Sequence, residues 1–561
     1  MAPYLGLKGR ALRFWLTLAC SVAMMPLGYD QALSPNLPAF LSPSEHVTAS
    51  FNLASCFGAL CVLHVGELLG RKRTMLFSAA IMACGALLQV SSVEFVQMIV
   101  GRIVSGLGNG IATATAPLWL AEMAGAKARG RIIVTMMAGS ALGFAAGNWV
   151  EFGMSNVQGE VAFRVPMAVK LMFIIFLLAT VPWLPESPRW LMSQGRIIQA
   201  TSILADLKGK DKEDTSITTE ALRMNSDICY ARRNKPPWKA ILRGRGGPIS
   251  RRIVLGMGVQ AMQQLLGIAV TAYFLPLILT KCLGVSTHLA RLLTACNATA
   301  FFLSSLGAIY IVPRFGRRKP MIFSSLSQSL SLLLFTLTTR FLSPNHTPIP
   351  SLIFLLTYHI SFALSSWNAT PWLLPIELTN QATRTQAVAL STATNWLVSF
   401  AVVEVTPLAI DNWGWKFFIV WTVLNFLFAG VVYACYFEME GVDLEDVEWL
   451  EWEGYPVFGR GRKPVVRERA RDIERGKGQG CVQCEEEGGK QVEPGQMFSI
   501  EGTSVRDMAT GGLPVVLERC TMGRARGGLG QGQRRVSVEV GPRDGPEVIV
   551  GDGGAVGSTC K

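Results

Sequence analysis

Runs of about 20 mostly apolar residues recur along this 561-residue chain, and each is long enough to cross a bilayer as a helix. Lipid offers no hydrogen-bond partner to the backbone, so a spanning segment must be a helix or part of a closed barrel. The runs are continuous rather than alternating in polarity, which favours helices. The predicted fold class is an all-α membrane protein with twelve transmembrane helices.

Composition agrees with this interpretation, since 50% of the residues are hydrophobic, 16% are charged and the mean hydropathy is +0.34. A soluble domain carries about 25% charged residues. The predicted helices lie near 12–33, 47–66, 74–92, 95–121, 132–152, 167–184, 252–277, 288–312, 320–340, 350–374, 384–408 and 414–437.

The net charge of +13 would suit a nucleic-acid partner, but the distribution of the basic residues does not. They cluster before the first run and after the second, fourth and eighth runs, as in Arg71-Lys72-Arg73. This is the positive-inside pattern of membrane proteins. We therefore expect a lipid bilayer rather than nucleic acid as partner, with both termini and the even-numbered loops in the cytosol.

The two halves of the chain share markers at matching places. A Gly-Arg pair follows the second and eighth runs, a Glu and an Arg at one fixed separation follow the fourth and tenth, and a glutamate closes each half. The markers are Gly70-Arg71, Glu122 with Arg129, and Glu186 in the first half, and Gly316-Arg317, Glu377 with Arg384, and Glu438 in the second. Such repetition indicates duplication of a six-helix unit, a plan used by transporters.

The predicted organisation follows from these runs. Residues 1–184 form one six-helix half and 251–437 the other. Residues 185–250 form a cytosolic loop with short helices, and 438–561 form a cytosolic tail. The tail is rich in Gly, Arg and Glu, so we expect disorder beyond a short helix near Leu444 to Trp452.

Four motifs, in order along the chain, carry a family resemblance. They are Gly28-Tyr29-Asp30-Gln31, Pro185-Glu186-Ser187-Pro188-Arg189-Trp190, Gln263-Gln264-Leu265-Leu266-Gly267-Ile268 and Ala393-Thr394-Asn395-Trp396. Over residues 4–450 the chain resembles the sugar porter family of the major facilitator superfamily, in its fungal hexose-type branch. The resemblance implies two pseudo-symmetric six-helix bundles that move a sugar or related polyol by alternating access.

Three glutamines, Gln260, Gln263 and Gln264, fall on one face of the seventh predicted helix. Amides are costly in lipid, so this face points inward. It could bind hydroxyl groups, or it could tie helices together. The residues leave both roles open, whereas the resemblance implies that Gln263 and Gln264 contact sugar.

The resemblance also places Trp372, Asn395 and Trp396 at sugar-contacting positions, and Tyr273 joins this predicted set. A pyranose has an apolar C–H face that packs on an aromatic ring while its hydroxyls need hydrogen bonds. The alternative for a membrane tryptophan is interfacial anchoring.

Asp30 is a carboxylate inside an apolar run, which marks a functional residue. Arg102, in the fourth run, lies at the family's matching partner position. The pair could load and release a proton during transport, or it could be a fixed salt bridge that braces two helices. The resemblance favours proton coupling, so the proton is the expected coupling ion, with no other cofactor and no metal.

A second constellation lies among the predicted cytosolic charges. The resemblance implies that these residues latch the halves together when the site faces outward. They are Gly70, Arg71, Glu122, Arg129, Glu186, Arg189, Gly316, Arg317, Glu377, Arg384 and Glu438. Such a network can bias a two-state equilibrium, and the alternative is a mere topology signal.

The predicted pocket departs from the family pattern at Ala141, Ala269, Phe301 and Asn368, where other residues stand in the family. Lost amides remove partners for hydroxyls, each worth about 0.5–1.5 kcal/mol. Glucose therefore does not follow as cargo, and a pentose, polyol, quinate-like acid, disaccharide or less hydroxylated solute stays open.

The leading hypothesis is a monomeric proton symporter for a sugar or polyol at the plasma membrane. The alternative is a transporter-like sugar sensor that signals through its tail. An enzyme is not expected, because the sequence lacks a metal-ligand cluster and a nucleophile–base pair in a polar loop. Asn345 is a possible glycan acceptor in an outer loop.

Overall fold

The computed structural model describes residues 3–33, 44–157, 159–233, 235–243, 247–341, 348–365, 367–439 and 444. Within these ranges the regular structure is entirely helical. The predicted tail beyond Met439, its short helix after Leu444 and the candidate glycan site Asn345 lie outside the described residues.

The first half contains six long helices. They are α1 (Gly9–Ala32), α2 (Ser44–Leu69), α3 (Arg71–Val90), α4 (Phe95–Met123), α5 (Ala126–Met154) and α6 (Val161–Thr180). Small residues let these helices approach closely, because a Cβ on Gly28 of α1 would lie 1.9 Å from the Ser140 carbonyl of α5. A Cβ on Gly110 of α4 would likewise lie 2.0 Å from the Ser55 carbonyl of α2.

Four shorter helices connect the halves: α7 (Pro188–Ser193), α8 (Ile197–Lys208), α9 (Thr215–Arg233) and α10 (Trp238–Leu242). The Ser187 side chain caps α7 by accepting the Trp190 N–H at 3.2 Å, and Pro188 occupies the first turn, where its missing N–H costs nothing. α8 ends at Gly209, which adopts the left-handed conformation common at helix C-termini.

The second half begins with α11 (Pro248–Gln263), a π-helical segment (Gln264–Ile268) and α12 (Ala269–Leu283). It continues with α13 (Thr287–Phe315), α14 (Arg318–Phe341), α15 (Pro348–Leu364), α16 (Thr370–Leu378), α17 (Gln381–Trp413) and α18 (Phe417–Cys435).

Ten stretches of the described chain are long and apolar enough to cross a membrane. One of them, Gln381–Cys435, contains both α17 and α18. The shorter apolar helix Ile349–Leu364 supplies the remaining predicted span together with α16. The all-α membrane fold predicted from the sequence is therefore confirmed.

Two of the predicted spans are interrupted rather than continuous. The seventh turns sharply at Gly267, whose φ of 97° is open to glycine but strained for other residues. The kink frees the Leu266 carbonyl, which accepts the Asn425 side-chain N–H at 2.8 Å and the Tyr358 hydroxyl at 3.1 Å. The tenth is divided into α15 and α16, and Pro371 lies in the first turn of α16.

Candidate functional site

An amide cluster lies where these two interrupted spans meet α17. Asn395 is its centre, because its side-chain N–H groups donate to Oε1 of Gln260 at 2.7 Å and to Oε1 of Gln263 at 2.9 Å. Gln264 Nε2 donates to Oδ1 of Asn395 at 3.2 Å. The expected inward amide face is present, and its members bond one another in this state.

Two of the glutamines also hold the broken tenth span. Gln260 Nε2 donates to the Pro371 carbonyl at 2.9 Å, and Gln263 Nε2 donates to the Trp367 carbonyl at 2.8 Å. These carbonyls flank the break between α15 and α16, where backbone groups lose their helical partners. Gln260 and Gln263 thus tie helices together, while Gln264 bonds only within the amide cluster among the contacts resolved here.

Trp396 and Trp372 are buried beside the cluster in one shared apolar core. Trp396 Nε1 donates to the Thr113 hydroxyl of α4 at 3.2 Å, so this side chain joins the two halves. The Phe51 ring of α2 packs edge-on against Trp396 with 6.3 Å between ring centroids. Both rings are at least 95% buried inside the protein, whereas an interfacial anchor exposes its ring, so burial argues against the anchoring alternative for both.

Tyr273 forms a second link between the halves. Its hydroxyl donates to Oδ1 of Asn52 on α2 at 3.3 Å, and both side chains are buried. This contact lies two to three turns from Gln264 along α12, on the side away from α11.

Two of the departures from the family pattern, Ala141 and Phe301, lie in one apolar wall. Ala141 and Phe144 of α5 share a buried cluster with Phe301 of α13 and Phe362 of α15. The ring centroids of Phe144 and Phe301 are 6.0 Å apart, and those of Phe301 and Phe362 are 6.2 Å apart. Ala269 lies buried just past the kink of the seventh span, and Asn368 lies in the break of the tenth. The site therefore combines an amide side with an aromatic side.

The carboxylate of Asp30 faces two cations, the predicted Arg102 and a second one, Lys170. Arg102 Nη1 is 3.7 Å from Oδ1, whereas Lys170 Nζ of α6 is 2.7 Å from Oδ2 and 2.9 Å from Oδ1. All three side chains are at least 98% buried. Lys170 was missed, although a lysine inside an apolar run is the same signal that identified Asp30.

The end of the bundle where α2 meets α3 and α13 meets α14 carries the predicted network, and we term it the charged end. Glu186 accepts the Arg71 N–H at 2.9 Å and the Lys72 N–H at 3.1 Å, at the start of α3. Glu438 accepts the N–H groups of Arg317 and Arg318 at 3.0 and 3.1 Å, around the start of α14. Both carboxylates thus satisfy free N–H groups at a helix N-terminus.

The glutamates near the C-terminal ends of α4 and α16 pair with arginines of their own half. Arg71 makes a bidentate contact with Glu122, with N–O distances of 2.9 and 2.8 Å. Arg317 Nη2 donates to Glu377 at 3.0 Å. Bidentate and buried pairs of this kind are geometrically specific.

Other contacts of the charged end cross between halves. Arg129 Nη1 lies 3.7 Å from Glu377, and Arg71 Nη2 donates to the Thr385 hydroxyl at 3.1 Å. Gln386 Nε2 donates to Glu67 at 2.5 Å, a link that the sequence analysis did not identify. The two halves are therefore joined at this end.

The remaining predicted members lie in the same region. Arg189 donates to the Glu122 carbonyl, and Arg384 donates to the Thr379 carbonyl at 3.0 Å and to the Gln381 side chain. Gly70 and Gly316 precede α3 and α14 with φ of 84° and 79°. The structure thus places every member of the predicted network at the charged end.

The described residues contain no group of three or more His, Cys, Asp or Glu side chains suited to a metal.

Comparison with known proteins agrees with this architecture. Residues 41–450 match the family described as Sugar (and other) transporter. The structure of the proton:xylose symporter XylE bound to 6-bromo-6-deoxy-D-glucose shares the fold, with a TM-score of 0.67 and 22% identity over 78% of this chain and 99% of that one.

Three fungal proteins are similar over most of the chain. The MFS-type transporter oryC of Aspergillus oryzae is 39% identical, with 80% of this chain and 86% of that protein covered. The sugar transporter STL1 of Saccharomyces cerevisiae is 30% identical over 80% and 83%, and its high glucose sensor RGT2 is 28% identical over 74% and 56%. The chain therefore belongs to the sugar transporter family of the major facilitator superfamily.

Proposed function

We propose that the chain moves a sugar or polyol across the membrane by alternating access, coupled to protons. The observation that carries this proposal is the amide cluster around Asn395, at the point where two interrupted spans meet. Interrupted helices at the bundle centre are a common device for building a transport site. The family membership supports a sugar-like solute.

The chemistry of the site favours a solute with one polar and one apolar side. The amides of Gln263, Gln264 and Asn395 can turn from one another to hydroxyl groups. Trp372, Trp396 and the aromatic wall around Phe301 offer apolar surface. We infer a solute with fewer hydroxyls than a hexose, such as a short polyol or a pentose.

Alternating access needs contacts that form and break at each end of the bundle. At the charged end, Arg129 with Glu377 and Arg71 with Thr385 join the halves. Since buried charges are costly without partners, opening this end requires water or new partners for them. The contacts act as a latch that favours the state closed at the charged end.

The orientation follows from the positions of the basic residues. The charged end carries Arg71, Lys72 and Arg73, so by the positive-inside pattern it faces the cytosol. Both termini then lie on that side, and the plasma membrane is the proposed location. We infer that one chain suffices for transport, because the duplication supplies both six-helix halves within a single chain.

A second candidate function is sugar sensing, which the similarity to a protein named as a high glucose sensor supports. Transport and sensing both require solute binding, but only transport requires flux.

The test is expression of the full chain in cells that lack sugar transporters, followed by uptake of radiolabelled D-glucose, D-xylose, glycerol and sorbitol. Each uptake is repeated with a proton uncoupler. Uptake of at least one solute that the uncoupler reduces supports the proposal. Uptake that the uncoupler leaves unchanged excludes proton coupling, and solute binding without uptake favours the sensor.

A further inference from the structure

The buried charges around Asp30 do not balance. One carboxylate faces Arg102 and Lys170, so the cluster carries a net charge of +1 when all three groups are ionised. Lys170 is the nearer cation, and Arg102 keeps two buried nitrogens, Nε and Nη2, without a hydrogen-bond partner among the described residues. An uncompensated charge at 98% burial or more is unfavourable, so the cluster is poised to change its protonation.

The direction of that change follows from counting charges. A proton added to Asp30 leaves two cations without an anion, for a net charge of +2. A proton lost from Lys170 leaves a neutral amine beside a balanced pair of Asp30 and Arg102. Guanidinium groups stay protonated in proteins, whereas buried lysine gives up its proton readily.

We propose that Lys170 takes up and releases the coupled proton while Asp30 remains a carboxylate between two cations. This inference rests on the proposed proton-coupled function. When Lys170 is charged, its ammonium pairs with Asp30. When Lys170 is neutral, Asp30 pairs with Arg102, which has two nitrogens without a hydrogen-bond partner among the described residues.

Ser105 suits both states of the lysine. The Lys170 ammonium donates to the Ser105 hydroxyl at 2.6 Å. A neutral amine has a lone pair, and the same hydroxyl can then donate to it. A single neighbour thus satisfies Lys170 before and after proton release.

The charged groups that act on Lys170 are Asp30 and Arg102, and the other titratable groups on the helices around it do not alter this charge count. Helix α1 contributes Tyr29 and Asp30, and α4 contributes Arg102. Helix α12 contributes Tyr273, which interacts electrostatically with Asp30 and Arg102. α5 contributes Glu151, whose charge acts on Tyr29. The charged residues of α3, which also packs along α6, all lie at the charged end: Arg71, Lys72 and Arg73.

A cavity lies one helical turn from Lys170, next to the end of α1 that is opposite the charged end. This cavity of about 160 Å³ is lined by Leu33, Glu151, Pro166 and Met167, among others. Pro166 precedes Lys170 by one helical turn, and its carbonyl accepts the Tyr29 hydroxyl at 2.8 Å. Tyr29 thus contacts a residue that lines the cavity and is the sequence neighbour of Asp30.

Phe51 connects this proton site with the solute site. The Lys170 ammonium lies 5.6 Å from the centroid of the Phe51 ring, and the same ring packs against Trp396. A cation over a ring is attracted to it, and this attraction disappears when the amine is neutral. The charge on Lys170 therefore biases the position of Phe51 and, through it, the tryptophan proposed to stack on the solute.

The test compares wild type, Lys170→Met and Lys170→Arg as full chains in liposomes. The probe is whichever of D-glucose, D-xylose, glycerol and sorbitol the wild type exchanges fastest. Two rates are measured: exchange at equal pH, which needs no coupling, and accumulation driven by an imposed pH gradient. We expect the ratio of accumulation to exchange to fall at least tenfold in both variants.

Lys170→Arg keeps a cation beside Asp30 but cannot release its proton, so it tests the proposal even if Lys170→Met folds poorly. A wild-type ratio in either variant overturns the assignment to Lys170. Exchange without pH-driven accumulation in the wild type overturns proton coupling itself. If the wild type and both variants accumulate the solute equally, the protein is proton-coupled but Lys170 is not the residue that carries the proton.

Discussion

Glu186 and Glu438 hold equivalent positions in the two halves, each with its carboxylate against the glycine that precedes a helix. A Cβ on Gly70 would lie 2.6 Å from Oε2 of Glu186, and a Cβ on Gly316 would lie 2.3 Å from Oε2 of Glu438. The two halves, whose duplication was predicted from paired sequence markers, thus share the same glycine–glutamate contact at the charged end.

Replacement of either glycine by alanine should therefore destabilise the protein. Both residues have positive φ, which costs a side-chain residue about 1–3 kcal/mol, and the added methyl would also displace the carboxylate. Gly430→Ala is the matched control, because a Cβ there meets nothing within 4 Å. Thermal unfolding in detergent should show lower midpoints for Gly70→Ala and Gly316→Ala, and equal midpoints for all three would contradict this account.

The contribution of Glu186 to the stability of the protein should depend on pH. Burial raises the pKa of its carboxyl, and backbone N–H groups of Ser187, Lys72 and Arg71 partly oppose this. A raised folded-state pKa means that the contribution to stability is present at low pH and is lost as pH rises through that pKa. Wild type minus Glu186→Gln should therefore give a stability difference that decreases from pH 4 to pH 8. An increasing difference would show that the N–H bonds outweigh burial.

Glu377→Gln should weaken the latch. Glu377 pairs with Arg317 in its own half and with Arg129 in the other, and loss of one partner from a buried pair costs about 3–5 kcal/mol. We expect reduced uptake and easier labelling of cysteines introduced at the charged end. Glu94→Gln, an exposed residue before α4, is the control. Unchanged cysteine labelling in Glu377→Gln would show that Glu377 does not control opening of the charged end.

Substitutions of Gln260 and Gln264 should distinguish a role in helix packing from a role in solute binding. Gln260 bonds the Pro371 carbonyl and Asn395, so Gln260→Ala should lower stability by about 1–3 kcal/mol. Gln264 bonds only Asn395 among the contacts resolved here, so Gln264→Ala should leave stability nearly unchanged and weaken solute affinity about tenfold. The reverse pattern, with stability lost and affinity kept in Gln264→Ala, would identify Gln264 as packing.

Phe301→Asn should shift selectivity toward solutes with more hydroxyls. The added amide offers one hydrogen bond, worth about 0.5–1.5 kcal/mol, which corresponds to a change of about two- to tenfold in the uptake ratio of D-glucose to glycerol. Phe301→Leu is the control, since it also removes the ring from the aromatic wall but adds no amide. An equal shift in both variants would attribute the effect to space rather than hydrogen bonding.

The sequence was sufficient for the helices, the duplication and the charged end, because apolar runs and paired motifs are local signals. A lysine within an apolar run is a local signal that marks Lys170, but its pairing with Asp30 and Arg102 could not be predicted, because the three residues come from three different helices. The kink at Gly267 was equally hidden, since one glycine in an apolar run specifies no φ, and the carbonyl it frees is satisfied by distant Asn425 and Tyr358. Long-range contacts of this kind leave no local pattern.

The proposed function requires that the chain moves its solute across the membrane rather than only binding it. The most direct measurement is the ratio of solute concentration inside to outside for liposomes containing the purified full chain, under an imposed inward proton gradient. Proton-coupled transport should give a ratio above one that falls to one when an uncoupler is added. Solute binding to the same preparation with no entry into the liposomes would contradict it.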